Sequence, residues 1–128
     1  MPIQPANEMP EERPQDRRRS KRIPMSFHIE VSGIDCNGQL FRDQVATLDV
    51  SDGGCQFELA REIEVKTPIS IQVLDRDGAP ATGSKPLLFE VVRVEIGKAG
   101  RVVGAMQLQA ANIWHMTFPL NRSHKSQR

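Results

Sequence analysis

Apolar and polar side chains alternate without a break from Ile23 to Val31: Ile23, Met25, Phe27, Ile29 and Val31 share one face, and Pro24, Ser26, His28 and Glu30 the other. Successive side chains of extended backbone point to opposite faces, so this period of two predicts a half-buried strand. Asp35-Cys36-Asn37-Gly38 follows, and Asn-Gly favours a tight hairpin turn. A second strand is predicted from about Leu40 to Val50, then a turn from Ser51 to Gly54. Cys55 to Leu59 alternates again, with Gln56 and Glu58 on the polar side. A fourth strand is marked by Ile69, Ile71 and Val73 after Pro68, and Asp75-Arg76-Asp77-Gly78 closes it. The segment from Ala79 to Pro86 holds two prolines and a glycine and reads as a loop. Leu87 to Ile96 is a long β-branched strand, Gly97 to Gly100 a turn, and Arg101 to Leu108 a last strand. Strands joined by short turns, with no helical period between them, predict an antiparallel barrel or sandwich. Ala110 to Met116 is expected to form a short terminal helix that packs Trp114 on the sheet.

A chain of 128 residues has room for one domain with a modest core. Met1 to Asp16 is rich in Pro, Glu, Gln and Asn, a composition that predicts a tail without a packed core. The expected organisation is this tail over 1–16, a domain over 17–118 and a basic tail over 119–128. The amino terminus has no apolar stretch behind a basic start, and no run approaches the ~20 apolar residues of a membrane helix. A cytoplasmic protein with two reduced cysteines, Cys36 and Cys55, is therefore expected. Net charge is +1, but residues 1–22 carry +2, residues 121–128 carry +3 and the body between them carries −4. A nucleic-acid binder spreads basic charge over a folded face. Here positive charge is confined to the ends, which suits capture of one small anion rather than a polymer.

Two short strings carry the candidate chemistry. The first is Arg17-Arg18-Arg19-Ser20-Lys21-Arg22, just before the first strand. The second is Asp49-Val50-Ser51-Asp52-Gly53-Gly54 at the end of the second. A guanidinium is a planar fork that bonds phosphate or the O6/N7 edge of guanine with two parallel hydrogen bonds. A carboxylate accepts from the N–H groups on guanine's other edge, so an arginine arm followed by an Asp-x-Ser turn suits an anionic guanine ligand. Order, spacing and strand context together resemble the PilZ domain family, the receptors for cyclic di-GMP, which pair an RxxxR arm with a DxSxxG or NxSxxG turn. Arg18 to Arg22 supplies the first motif; Asp49, Ser51 and Gly54 supply the second.

The resemblance implies a six-stranded antiparallel β-barrel with a helix after the last strand. It implies that Arg18 and Arg22 clamp the ligand, that Asp49 and Ser51 bond base or phosphate, and that Gly54 with Gly53 gives the chain freedom to turn. Arg17 and Arg19 are additional candidates, Arg17 standing where the family sets ligand stoichiometry. It also implies a receptor with no enzymatic activity and no cofactor, signalling through a protein partner. The competing account is a nucleotide-independent adaptor of type IV pilus or exopolysaccharide machinery, whose members tend to lack these motif residues. The family's last strand commonly reads Gly, aliphatic, any, Phe, whereas Gly104-Ala105-Met106-Gln107 stands here. That departure predicts an apolar face moved to Met106 and Leu108, with a local bulge or register change. No other set is arguable. His28, His115 and His124 are far apart, the Asp75 turn lacks the remaining ligands of a calcium loop, and no Ser/His/Asp or Cys/His spacing supports catalysis.

Overall fold

The computed structural model describes residues 21–118, of which Arg22–Met116 form one compact unit. Six strands carry it: β1 (His28–Ile34), β2 (Leu40–Ser51), β3 (Gly54–Leu59), β4 (Pro68–Val73), β5 (Leu87–Ile96) and β6 (Arg101–Gln107). Every neighbouring pair is antiparallel, and the order β1-β2-β3-β6-β5-β4 closes on itself through the β1–β4 pairing. The alternating residues explain closure: one face of each strand is apolar, and a barrel buries all six faces against each other without leaving an edge. Ile29, Val31, Val50, Phe57, Ile71, Phe89, Val91 and Val103 are fully buried.

Four expectations need correction. The alternating stretch from Ile23 does not enter the ladder at once. β1 begins only at His28, and residues 23–27 run beside the end of β2 with few ladder bonds. Ile23 exchanges two backbone bonds with Val50, of 2.8 and 2.9 Å. Buried Thr47 supplies the rest: its hydroxyl accepts from the Phe27 N–H and donates to the Met25 carbonyl, both at 2.7 Å. A side chain thus replaces ladder bonds there.

The terminal helix is also absent. Ala110 to Met116 contains only a turn at Ile113–Trp114. Asn112 competes with the helix by accepting the Met116 N–H on its side chain, and His115 adopts a left-handed φ of 55°, a conformation that stops a helix. Trp114 nevertheless packs on the barrel, 5.0 Å from the Phe27 ring.

The apolar face of the last strand has not moved. Val103 and Ala105 point inward and are buried, while Met106 and Leu108 are exposed. The bulges lie instead in β2 and β5. Finally, neither Gly53 nor Gly54 has a positive φ. Gly54 is required by contact: a Cβ there would run into the Ala105 carbonyl and sit 2.7 Å from the Met106 sulfur.

Candidate functional site

Strict alternation along β2 would turn Asp49 into the core, because Thr47 points inward and is 2% exposed. One extra residue prevents this. Thr47 pairs with Phe57 and Asp49 with Gln56, so Leu48 and Asp49 together face a single position on β3. Such a bulge bends the strand and shifts the phase of its side chains. Leu48 and Asp49 both lie on the outside, and Val50 returns to the core. β5 repeats the device. Val91 pairs with Ala105 and Arg93 with Gly104, leaving Val92 as the extra residue and Arg93 on the outer face.

The two bulges meet in one row. Asp49 pairs with Gln56, Gln56 with Gly104 and Gly104 with Arg93, across four strands. The side chains form a chain of contacts along this row. Arg93 Nη2 donates to Gln56 Oε1 at 2.9 Å, and Gln56 Nε2 donates to Asp49 Oδ2 at 2.7 Å. Gly104 lies between Gln56 and Arg93 in this row, and the Arg93 stem passes over it. The far end of Arg93 meets Glu95, with Nε 3.6 Å from a carboxylate oxygen.

The near end meets the arm. The Ile23–Val50 bridge fixes the chain directly beside β2, and Arg22 Nη1 lies 3.8 Å from Asp49 Oδ1. That is an ion-pair distance, too long for a hydrogen bond. Among the described residues Asp49 Oδ1 is a buried oxygen with no hydrogen-bond donor, a costly condition for a carboxylate unless a ligand or solvent meets it. Ser51 stands two residues on, pairing with Gly54, and its carbonyl accepts the Trp114 indole N–H at 3.0 Å. The turn is therefore held from the core side, while its Asp and Ser face outward.

Of the residues predicted from the motifs, Arg22, Asp49, Ser51, Gly53 and Gly54 come together at this end of β2. Arg17, Arg18 and Arg19 lie outside the described residues. Gln56 and Arg93 were missed. Gln56 reads as the polar side of an alternating strand, and Arg93 lies 37 residues further along the chain. The available signal was a spacing of three between inward positions, Thr47 to Val50 and Val91 to Val94, where alternation demands two.

Cys55 lies beneath the site. Burial pushes its thiol pKa well up, reinforced by the Asp49 charge and opposed by Arg22, so it behaves as a small apolar core residue. No group of three or more His, Cys, Asp or Glu among the described residues is placed to hold a metal. A hollow of about 810 Å³ opens at the opposite end of β2, lined by Gly33, Ile34, Leu40, Phe41, Ile69 and Leu88 among others. It contains none of the motif residues and its lining is mostly apolar. No helix among the described residues is long and apolar enough to cross a membrane.

A family model for the PilZ domain matches residues 16–113. No curated protein sequence matches the chain. Among solved structures it is similar to the crystal structure of the PilZ domain of CeSA from a cellulose-synthesizing bacterium, at 21% identity. The match covers 70% of this chain and 83% of that one, with a TM-score of 0.49.

Proposed function

The chain belongs to the PilZ domain family, whose members are binding and adaptor domains and generally receptors for cyclic di-GMP, and on that premise we propose that it binds cyclic di-GMP and signals through a protein partner in the cytoplasm. The observation that carries this reading is Asp49, turned outward by the β2 bulge, whose buried Oδ1 has no hydrogen-bond donor among the described residues and lies 3.8 Å from the Arg22 guanidinium. In this reading Oδ1 accepts an N–H of guanine, and Arg22 leaves its loose pairing to bond phosphate or the O6/N7 edge. Arg18 supplies the second fork, with Arg17 and Arg19 as neighbouring charge. Ser51 bonds base or phosphate, and Gly54, with Gly53, keeps the turn close to β6. The ligand orders the arginine arm over the row, at an entropic cost that its charged contacts must exceed. The altered surface is then read by the partner.

Calorimetry with cyclic di-GMP tests this. Binding is expected, with linear and mononucleotide guanine compounds far weaker. Arg18→Ala and Arg22→Ala should each lower affinity by about ten- to a hundredfold, the worth of about 1.5–3 kcal/mol for a charged hydrogen bond. Arg19→Ala and Asp52→Ala should matter less, and Asp49→Ala and Ser51→Ala should weaken binding too. Flat traces at micromolar protein and ligand would sink the receptor reading and promote the nucleotide-independent adaptor.

A further inference from the structure

Asp49 is one end of a relay whose other members belong to neither motif. Its Oδ2 is occupied by the Gln56 amide at 2.7 Å, and its Oδ1 accepts no hydrogen bond from the described residues. The Gln56 amide has two faces of opposite character, an acceptor and a donor. Only the donor face suits a carboxylate, so the amide must be held against turning over. Arg93 does this, because a guanidinium can only donate and its Nη2 takes the Gln56 oxygen at 2.9 Å. Arg93 crosses β6 over Gly104, a position that would admit a Cβ at ordinary contact distance. A Cβ built there would sit 3.5 Å from the Arg93 Cβ and 3.9 Å from Nη2.

We propose that Arg93, acting through Gln56, is a positioning residue that locks the Asp49 carboxylate with Oδ1 turned to the ligand, and so sets the preference for guanine over adenine. This rests on the cyclic di-GMP reading above. Adenine presents an acceptor, N1, where guanine presents donors. A carboxylate fixed in place therefore rewards guanine and repels adenine, while one free to rotate does neither well. Arg93 thus contributes base selectivity, not charge for the phosphates.

The test measures cyclic di-GMP and cyclic di-AMP on the full chain and on Arg93→Met, Arg93→Lys and Gln56→Leu, each checked by melting. Arg93→Met and Gln56→Leu should weaken cyclic di-GMP by about tenfold, one charge-assisted hydrogen bond's worth, and leave cyclic di-AMP nearly unchanged, so that selectivity narrows. Arg93→Lys, which still donates to Gln56, should recover part of the selectivity. Equal loss for both nucleotides in Arg93→Met would mean that Arg93 only supplies charge, and the proposal would fall. Unchanged selectivity in Gln56→Leu would overturn it as well. A second readout needs no ligand: the Gln56 side-chain amide protons should exchange slowly in the wild type and Arg93→Lys, and quickly in Arg93→Met. If the wild type binds neither nucleotide, the receptor reading is what has failed. The amide exchange then decides the relay by itself, and equal exchange in wild type and Arg93→Met would reject it.

Discussion

At Asp35 a single carboxylate closes the first hairpin and meets an arginine from beyond β3. Its Oδ1 accepts the N–H groups of Asn37 and Gln39 at 2.9 and 3.0 Å, and Oδ2 lies 3.4 Å from Arg61, which also forks onto Asp43 and stacks on the Phe41 ring. The Gln39 backbone bond, then that of Asn37 and the Arg61 charge, hold the Asp35 pKa below its usual carboxylate value, against the opposing effect of burial. A carboxylate with a lowered folded pKa contributes stability that is complete above its unfolded pKa and lost as pH falls through the folded one. Melting temperature should therefore drop below about pH 4, and Asp35→Asn should be less stable at neutral pH but lose less on acidification. An equal acid drop in Asp35→Asn would contradict that assignment. Gly54 makes a steric prediction at the same scale. Gly54→Ala has to open the β3–β6 pairing as well as displace Met106, because the Ala105 carbonyl stands in the way, and should cost about 1–3 kcal/mol in chemical denaturation. Alanine tolerated without loss would mean that the two strands separate easily.

At the level of elements, the strands were largely legible in the sequence and the bulges were not. Leu87–Ile96 has the bounds that its β-branched run predicts, and β2, β3, β4 and β6 differ from expectation by about a residue at an end. Alternation works there because one side of each strand is buried. It misled between Ile23 and Phe27, where the Thr47 hydroxyl takes over from the ladder, and after Gln107, where local side-chain bonding defeats a helix. Asp49 and Ser51 were legible from their motif, as was Arg22, but Gln56 and Arg93 were not, because the row that joins them is created by register across strands. That register makes the β2 bulge testable. Deleting Leu48 removes the extra residue and restores simple alternation, with Thr47 inward, Asp49 outward opposite Gln56 and Val50 in the core. Because no carboxylate is driven inward, the deletion should keep the barrel folded and lower its melting point by little more than deletion of Gly83. Gly83 is exposed and has open space around it, and single-residue changes at such loop tips are tolerated. A far larger loss for the Leu48 deletion would show that the bulge itself is needed to close the barrel.

For the molecule as a whole, closure of the barrel means that none of the six described strands offers a free edge for another chain to extend. A partner must be met through side chains, and Ile34, Leu40 and Leu88 beside the apolar hollow, with Ile96 elsewhere, are exposed for such contact. Charge distribution bears on the ligand. With −4 on the body and positive charge at the two ends, affinity for a small anion carrying two phosphates should fall gently with salt, with a log–log slope of about two or less. Single-stranded nucleic acid measured in parallel should bind weakly. A steeper slope and comparable polymer affinity would assign the basic ends to a nucleic-acid backbone instead.

The bond from the Trp114 indole to the Ser51 carbonyl has an optical consequence. The chain contains one tryptophan and no tyrosine, so its near-ultraviolet emission comes almost wholly from one chromophore, buried against Phe27 and tethered to the back of the turn that follows β2. Any displacement of Ser51 changes the polarity and hydrogen bonding of that ring. The protein therefore carries its own unlabelled reporter, and occupancy of the Asp49 face should be readable as a shift in tryptophan emission.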